Sequence, residues 1–225
     1  MTAAIILAAG RGVRMGAKED KAFLGLGRRP LVAYSLAAFE ACADVGAVIL
    51  VVREGREAST RDDCRAFGVS KLAAVVAGGG LRQDSVRAGL AALPPGTEIV
   101  AVHDAARPLV TPELISATIR SARETGSGVA AAKVVDTLKL AGPGNVAEST
   151  VDRDGLWAVA TPQTFRAALL RRAYDAVAAA GAVVTDDAGA LEFIGEKARL
   201  VEWRKPNLKV TVPEDLAVAE ALLRI

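Results

Sequence analysis

Five short apolar runs, at 3–8, 47–52, 73–77, 99–102 and 128–134, recur along the chain with helix-length segments between them. Runs this short and this uniformly apolar read as strands buried on both faces. The intervening segments keep a helical period. After Pro30, the residues Leu31, Tyr34, Ser35, Ala38, Phe39 and Cys42 fall at i, i+3, i+4, i+7, i+8 and i+11, and Pro30 suits a first turn. Residues 85–93 form a second helical stretch, ended by Pro94-Pro95. Thr111-Pro112-Glu113 opens a third, with Thr as N-cap, Pro at the first helical position and Glu favourable to the helix dipole. Residues 164–180 and 213–223 give two more. Alternating strand and helix predict an α/β fold with a doubly wound, mostly parallel sheet. The length of 225 residues is that of one domain, 1–225.

One stretch breaks the alternation. Between 137 and 158, Leu138-Lys139-Leu140, the turn residues Gly142-Pro143-Gly144-Asn145, Ser149-Thr150-Val151 and Leu156-Trp157 read as strand, turn, strand. A hairpin with so little apolar surface is marginal alone. It is expected to protrude as a β-hairpin arm and to pack on a second subunit.

Charge and histidine content narrow the chemistry. The net charge of +2 gives no field suited to nucleic acid or to an anionic membrane, and no apolar run approaches a membrane span. The opening segment carries no basic n-region, so a cytoplasmic location is expected. Cys42 and Cys64 form no metal-type or redox pair. His103 is the only histidine, which removes the usual Ser-His-Asp and Cys-His triads. Catalysis must then use Lys, Arg, Asp and a metal, or positioning alone.

Three loops carry the signals. Ala8-Ala9-Gly10-Arg11-Gly12-Val13-Arg14-Met15-Gly16 follows the first strand, where doubly wound sheets bind ligands. Its small residues let backbone N–H groups approach phosphate oxygens, and Arg11, Arg14, Lys18 and Lys21 add positive charge. It is no dinucleotide fingerprint, because Met15 stands where the third glycine belongs. It is no P-loop either, because Gly16 is followed by Ala17-Lys18. Gly78-Gly79-Gly80 ahead of a helix makes a second anion or base-edge site; the plainer reading is a turn with Asp84 or Ser85 capping the helix. In Val102-His103-Asp104-Ala105-Ala106-Arg107-Pro108, Asp104 ends a strand and suits Mg²⁺, while Arg107 could hold a phosphate bidentately.

Taken in order with Asp136-Thr137, Asp152-Arg153, Thr161-Pro162-Gln163, Thr185-Asp186-Asp187 and Asn207-Leu208-Lys209-Val210-Thr211, these segments resemble the methylerythritol phosphate cytidylyltransferase family over essentially the whole chain. The resemblance implies a Rossmann-like nucleotidyltransferase fold, CTP and 2-C-methyl-D-erythritol 4-phosphate as substrates, Mg²⁺ or another divalent cation, and a homodimer closed by the arm at 137–158. It implies CTP contacts at Ala8, Ala9, Gly10, Gly79, Gly80, Ser85 and Asp104. Arg14 and Lys21 look like transition-state stabilisers, and Arg153 and Lys209 like the pair that positions the sugar phosphate. Asp104, Arg107, Thr137, Arg153, Thr161 and Thr185 would line the acceptor site, with Arg153 entering the partner's. One departure is Asp20, directly before Lys21, where the family commonly has proline. A sister transferase for ribitol 5-phosphate or another sugar phosphate is the nearest alternative reading. A non-catalytic nucleotide-binding module is the remote one.

Overall fold

The computed structural model describes residues 1–10, 12 and 20–224. The chain runs β1 (Thr2–Leu7), β2 (Gly25–Leu26), β3 (Arg29–Pro30), α1 (Leu31–Ala41), β4 (Ala47–Val52), α2 (Glu57–Ala66), β5 (Leu72–Ala77), α3 (Arg82–Ala91) and β6 (Ile99–Asp104). It continues with α4 (Pro112–Thr125), β7 (Ser127–Lys133), β8 (Leu138–Ala141), β9 (Ala147–Val151), β10 (Trp157–Arg166), α5 (Ala167–Ala179), α6 (Asp187–Phe193), β11 (Leu200–Glu202) and α7 (Glu214–Leu223). Seven strands form the main sheet in the order β11-β7-β10-β6-β1-β4-β5. All neighbours pair in parallel except β10, which runs antiparallel to both β6 and β7.

The five apolar runs become β1, β4, β5, β6 and β7, and β1 shows why they lack alternation. Ala4 and Ile6 enter one core with Leu36 and Phe39 of α1 and Leu114, Ile115 and Ile119 of α4. Ala3 and Ile5 enter the opposite core with Val86 of α3, Leu170 and Tyr174 of α5 and Leu191 of α6. Each fully buried Leu or Ile stabilises by roughly 1.5–3 kcal/mol, so two-sided burial specifies this sheet strongly. The capping expected for α4 is present, with the Thr111 side chain accepting from Leu114 N–H at 3.4 Å and Pro112 in the first turn.

Two segments differ from expectation. The stretch 157–166 is one ten-residue strand, β10, although Trp157 reads as the end of the hairpin and Thr164 as the start of a helix. Its inner half, Thr161 to Phe165, is buried between β6 and β7, and that burial overrides the helical pattern. The helix expected at 85–93 begins three residues earlier, at Arg82, because the Asp84 carboxylate accepts from Leu81 N–H at 3.0 Å and caps it.

Within the stretch 137–158 the hairpin pairs over 138–151, while Trp157 and Ala158 belong to β10. Strands β8 and β9 pair with each other in a separate two-stranded sheet, and every residue of β9 is exposed.

Strand order also places the site. From β1 the chain winds outward through β4 and β5, then crosses back to β6 on the other side of β1. The reversal lies between β1 and β6, and a crevice opens beyond their carboxyl ends.

Candidate active site

A cleft of about 730 Å³ occupies that crevice. Its walls are the chain after β1 (Ala8, Ala9, Gly10), the chain after β5 (Gly78, Gly79, Gly80), Arg53 and Glu54 after β4, and Asp104 at the end of β6. Lys21, Arg82, Ser85 and Lys209 complete it. Four cations against two carboxylates leave the cleft net positive, which suits a polyanion. Gly79 is required sterically, since a Cβ there would lie 2.3 Å from Cβ of Asp84. Its N–H donates to Ser85 Oγ at 3.3 Å, which holds the glycine loop against the first turn of α3.

Asp104 is the electrostatic centre. Arg82 Nε donates to its Oδ1 at 3.2 Å and Lys209 Nζ to its Oδ2 at 2.6 Å. Burial alone would push this carboxyl up, but Arg82 and Lys209 together hold it well below the usual carboxylate range. The segment carrying Lys209 is itself docked on the β6 loop, where Val210 N–H donates to Ala106 O at 2.8 Å.

Behind Asp104 lies His103, fully buried. Its Nε2 faces the Arg107 carbonyl at 3.3 Å, and a carbonyl can only accept, so Nε2 carries the proton. Nδ1 then accepts from the Thr161 hydroxyl at 3.1 Å, and that oxygen accepts from Asp104 N–H at 3.1 Å. Burial pushes the His103 pKa down to about 3, so the ring stays neutral. The sole histidine therefore orients the Asp104 loop and transfers no proton.

This sets a pH dependence with a definite sign. The unfolded chain protonates histidine near about 6.5, whereas the folded His103 resists it. The contribution is complete above that pH and is lost as pH falls toward the folded value. Between pH 6.5 and 5, stability in urea titrations is expected to fall at a rate approaching about 1.4 kcal/mol per pH unit. A flat profile over that interval would contradict the buried neutral ring. Asp104, also depressed, adds a further loss below about pH 4.

The sequence reading does not single out Arg82, Asp187, Tyr174 or Gln163 as site residues. Arg82 turns its other face to Asp187, donating from Nη1 at 3.1 Å and Nη2 at 2.7 Å. Tyr174 O–H donates to the same carboxylate at 2.6 Å. Gln163 Oε1 accepts from the N–H groups of Asp187 and Ala188 at 3.0 and 2.9 Å, fixing the start of α6. Burial would lower the Arg82 pKa, but Asp187 and Asp104 raise it overall, so the guanidinium stays charged. One signal could have flagged Arg82. It opens α3, where the helix dipole disfavours a cation, and such a placement needs acidic partners.

The remaining predicted residues divide. Lys21 and Lys209 reach the cleft, together with Ala8, Ala9, Gly10, Gly79, Gly80, Ser85 and Asp104. Arg14 lies outside the described residues. Arg107 sits beside the cleft over a smaller hollow floored by Ala130, Ala131 and Ala132, its Nη1 donating to Asn207 O at 2.7 Å. Asn207 Nδ2 donates in turn to Thr161 O at 2.9 Å. Thr161 is buried, with its hydroxyl engaged by Asp104 and His103. Thr185 is exposed, just ahead of Asp186, which caps α6 by accepting from Gly189 N–H at 2.8 Å. Thr137 and Arg153 lie exposed on the arm, where Arg153 donates to the Val135 carbonyl, and neither lines the cleft of its own chain.

An open, mostly parallel sheet with a glycine-walled, cation-rich cleft at its switch point defines a nucleotidyltransferase. The family model described as "IspD: 2-C-methyl-D-erythritol 4-phosphate cytidylyltransferase" matches residues 2–225. The chain is 43% identical over 223 residues to the enzyme of that name from Pelotomaculum thermopropionicum, covering 99% of this chain and 94% of the relative. It is 43% identical to the one from Geobacillus kaustophilus, covering 98% and 96%. The crystal structure of the Thermus thermophilus cytidylyltransferase superposes with a TM-score of 0.83 at 33% identity, covering 100% of both chains. That of the 4-diphosphocytidyl-2C-methyl-D-erythritol synthase from Anaerococcus prevotii gives 0.86 at 30% identity, covering 100% and 99%. The chain belongs to the 2-C-methyl-D-erythritol 4-phosphate cytidylyltransferase family.

Proposed function

We propose that this chain transfers the cytidylyl group of CTP to 2-C-methyl-D-erythritol 4-phosphate, with the residues of the cleft in the following roles. An oxygen of the acceptor phosphate attacks the α-phosphorus of CTP. The new P–O bond forms as the bond to the β-phosphate bridging oxygen breaks, and pyrophosphate leaves. Two anions meet and little proton transfer is needed, which accords with a site whose one histidine is neutral and buried. Catalysis is then alignment plus charge neutralisation. Ala8, Ala9, Gly10, Gly79, Gly80 and Ser85 receive the nucleotide on backbone and hydroxyl groups. Lys21 and Arg14 neutralise charge developing around the α-phosphate, and Lys209 holds the acceptor phosphate. The observation that carries this reading is the meeting of Lys21, Arg82, Asp104 and Lys209 in one cleft with the two glycine-containing loops.

A divalent cation fits the donor set in a limited way. Among the described residues no cluster of three acidic, His or Cys side chains exists, so no all-protein cage is available. Two carboxylates, Asp104 and Glu54, in a triphosphate-sized cleft suit Mg²⁺, which takes most of its ligands from phosphates and water. Asp104 would hold it, and the ion would supply further neutralisation of phosphate charge.

The arm completes the proposal. Exposed Val135, Leu140, Val146 and Val151 lie on or beside β8 and β9, and Arg153 and Thr137 sit at their base. A second copy of the chain would cover the apolar residues and receive Arg153 and Thr137 in its acceptor site. Light scattering at micromolar concentration is expected to give a dimer. Removing residues 138–151 should give monomers without turnover; an active monomer would contradict the shared site. No helix among the described residues is long and apolar enough to cross a membrane, and a cytoplasmic location is part of this proposal.

Pyrophosphate release from purified protein with CTP and Mg²⁺ tests the reaction. Release with 2-C-methyl-D-erythritol 4-phosphate and not with ribitol 5-phosphate is expected. Release only with ribitol 5-phosphate would move the chain to a sister activity, and silence with both would overturn the proposal.

A further inference from the structure

The residue before Lys21 is a buried carboxylate. Asp20 is 1% exposed, and among the described residues neither of its oxygens has an aligned hydrogen bond. Its one ionic contact among the described residues is Arg53, whose Nε lies 3.2 Å from Oδ1. Burying a carboxylate is costly unless a cation compensates it, so a turn that needed only to change direction would not call for Asp here. The backbone at Asp20 has φ −64° and ψ 128°, an extended conformation open to any residue, proline included. The side chain, not the backbone, is therefore what this position supplies.

The surroundings show what it acts on. The Asp20 carbonyl accepts from Phe23 N–H at 2.8 Å and opens the single helical turn Lys21–Phe23. Gly12 meets the same point. Gly12, at φ +60°, packs so closely that a Cβ there would lie 2.8 Å from Cβ of Lys21. Gly12 and the Asp20–Lys21 segment thus pack together as one neck around the stem of Lys21. Arg53 follows β4, an interior strand paired with β1 and β5, and lines the nucleotide cleft. Its ion pair with Asp20 ties the neck to that strand.

We infer that the Asp20–Arg53 pair is a positioning device for Lys21, pinning the chain directly before it so that the ammonium group is presented to the nucleotide phosphates. The inference rests on the role proposed above for Lys21. A misplaced charge-neutralising group slows turnover without removing the fold.

Steady-state kinetics on the full-length protein test it. Asp20→Ala is expected to lower kcat about tenfold, with the KM for the acceptor phosphate unchanged. Arg53→Ala should lower kcat comparably, and the double variant should be no slower than the slower single one. In a Lys21→Ala background, Asp20→Ala should have no further effect on kcat. A Lys21→Ala variant of parental rate would remove the reading on which the inference rests. With Lys21→Ala slow, either of two results overturns the inference itself: Asp20→Ala at parental rate, or Asp20→Ala slowing the Lys21→Ala variant further.

Discussion

Lys21→Ala lowers kcat by about 3–4 kcal/mol of barrier, a few-hundred-fold, while the protein stays folded. The magnitude follows from where the group sits. Lys21 lines a cleft walled by backbone and cations, where a bound nucleotide would displace water, so its effect on a developing phosphate charge is less screened than in bulk solvent. Stability is spared because Lys21 is only half-buried and its neighbour Ala22 makes the core contact. Single-turnover kinetics with saturating CTP would isolate the chemical step. Circular dichroism melting would show that the fold is retained. A variant with near-parental kcat would remove Lys21 from the mechanism, and a collapse of the melting transition would make it a structural residue. Lys21→Arg is expected to fall between the two, because the charge is kept but its position changes.

How much of this could be read before the structure depended on what each segment buries. The central strands were legible because β1 and β4 are apolar on both faces, a pattern that a short segment shows chiefly when it is a central strand. The helix at Leu31–Ala41 was legible through its period, and the arm through its turn residues. α2 was not legible, since Glu57–Ala66 buries only Thr60 and Cys64 and shows no apolar stripe. β10 was hidden because it carries Pro162 and only its Thr161–Phe165 half is buried, so neither a uniform run nor a clean alternation marks it. The cleft shows the same division. Loops that follow strands, with Gly10, Gly79 and Asp104, announce themselves by composition and place. Arg82 and Asp187 lie 105 residues apart and meet only through the packing of α3 against the start of α6, which no local pattern encodes. The proposed roles of the arm residues Thr137 and Arg153 depend on a second chain, and one chain shows them simply as exposed.

Asp187→Ala destabilises the fold by about 3–5 kcal/mol and weakens the site with it. Asp187 is completely buried and accepts three hydrogen bonds, two from Arg82 and one from Tyr174. Without it, Arg82 keeps only Asp104 as a counter-charge, and the Tyr174 hydroxyl, buried in α5, loses its acceptor. A buried charge left without its partner costs far more than the pair contributes over an apolar replacement, so the cost comes from what remains behind. In a chain of 225 residues this corresponds to a fall in melting midpoint on the order of 10 °C. The double variant Arg82→Met, Asp187→Leu removes both charges and should lose less stability than Asp187→Ala alone. It should nevertheless be catalytically poor, because Asp104 then faces Lys209 alone at the floor of the cleft. Urea unfolding and kcat measured on the same preparations separate the two effects. An Asp187→Ala variant within about 1 kcal/mol of the parent would mean that water reaches Arg82 freely and that the relay from Tyr174 through Asp187 to Arg82 does not hold Asp104 in place.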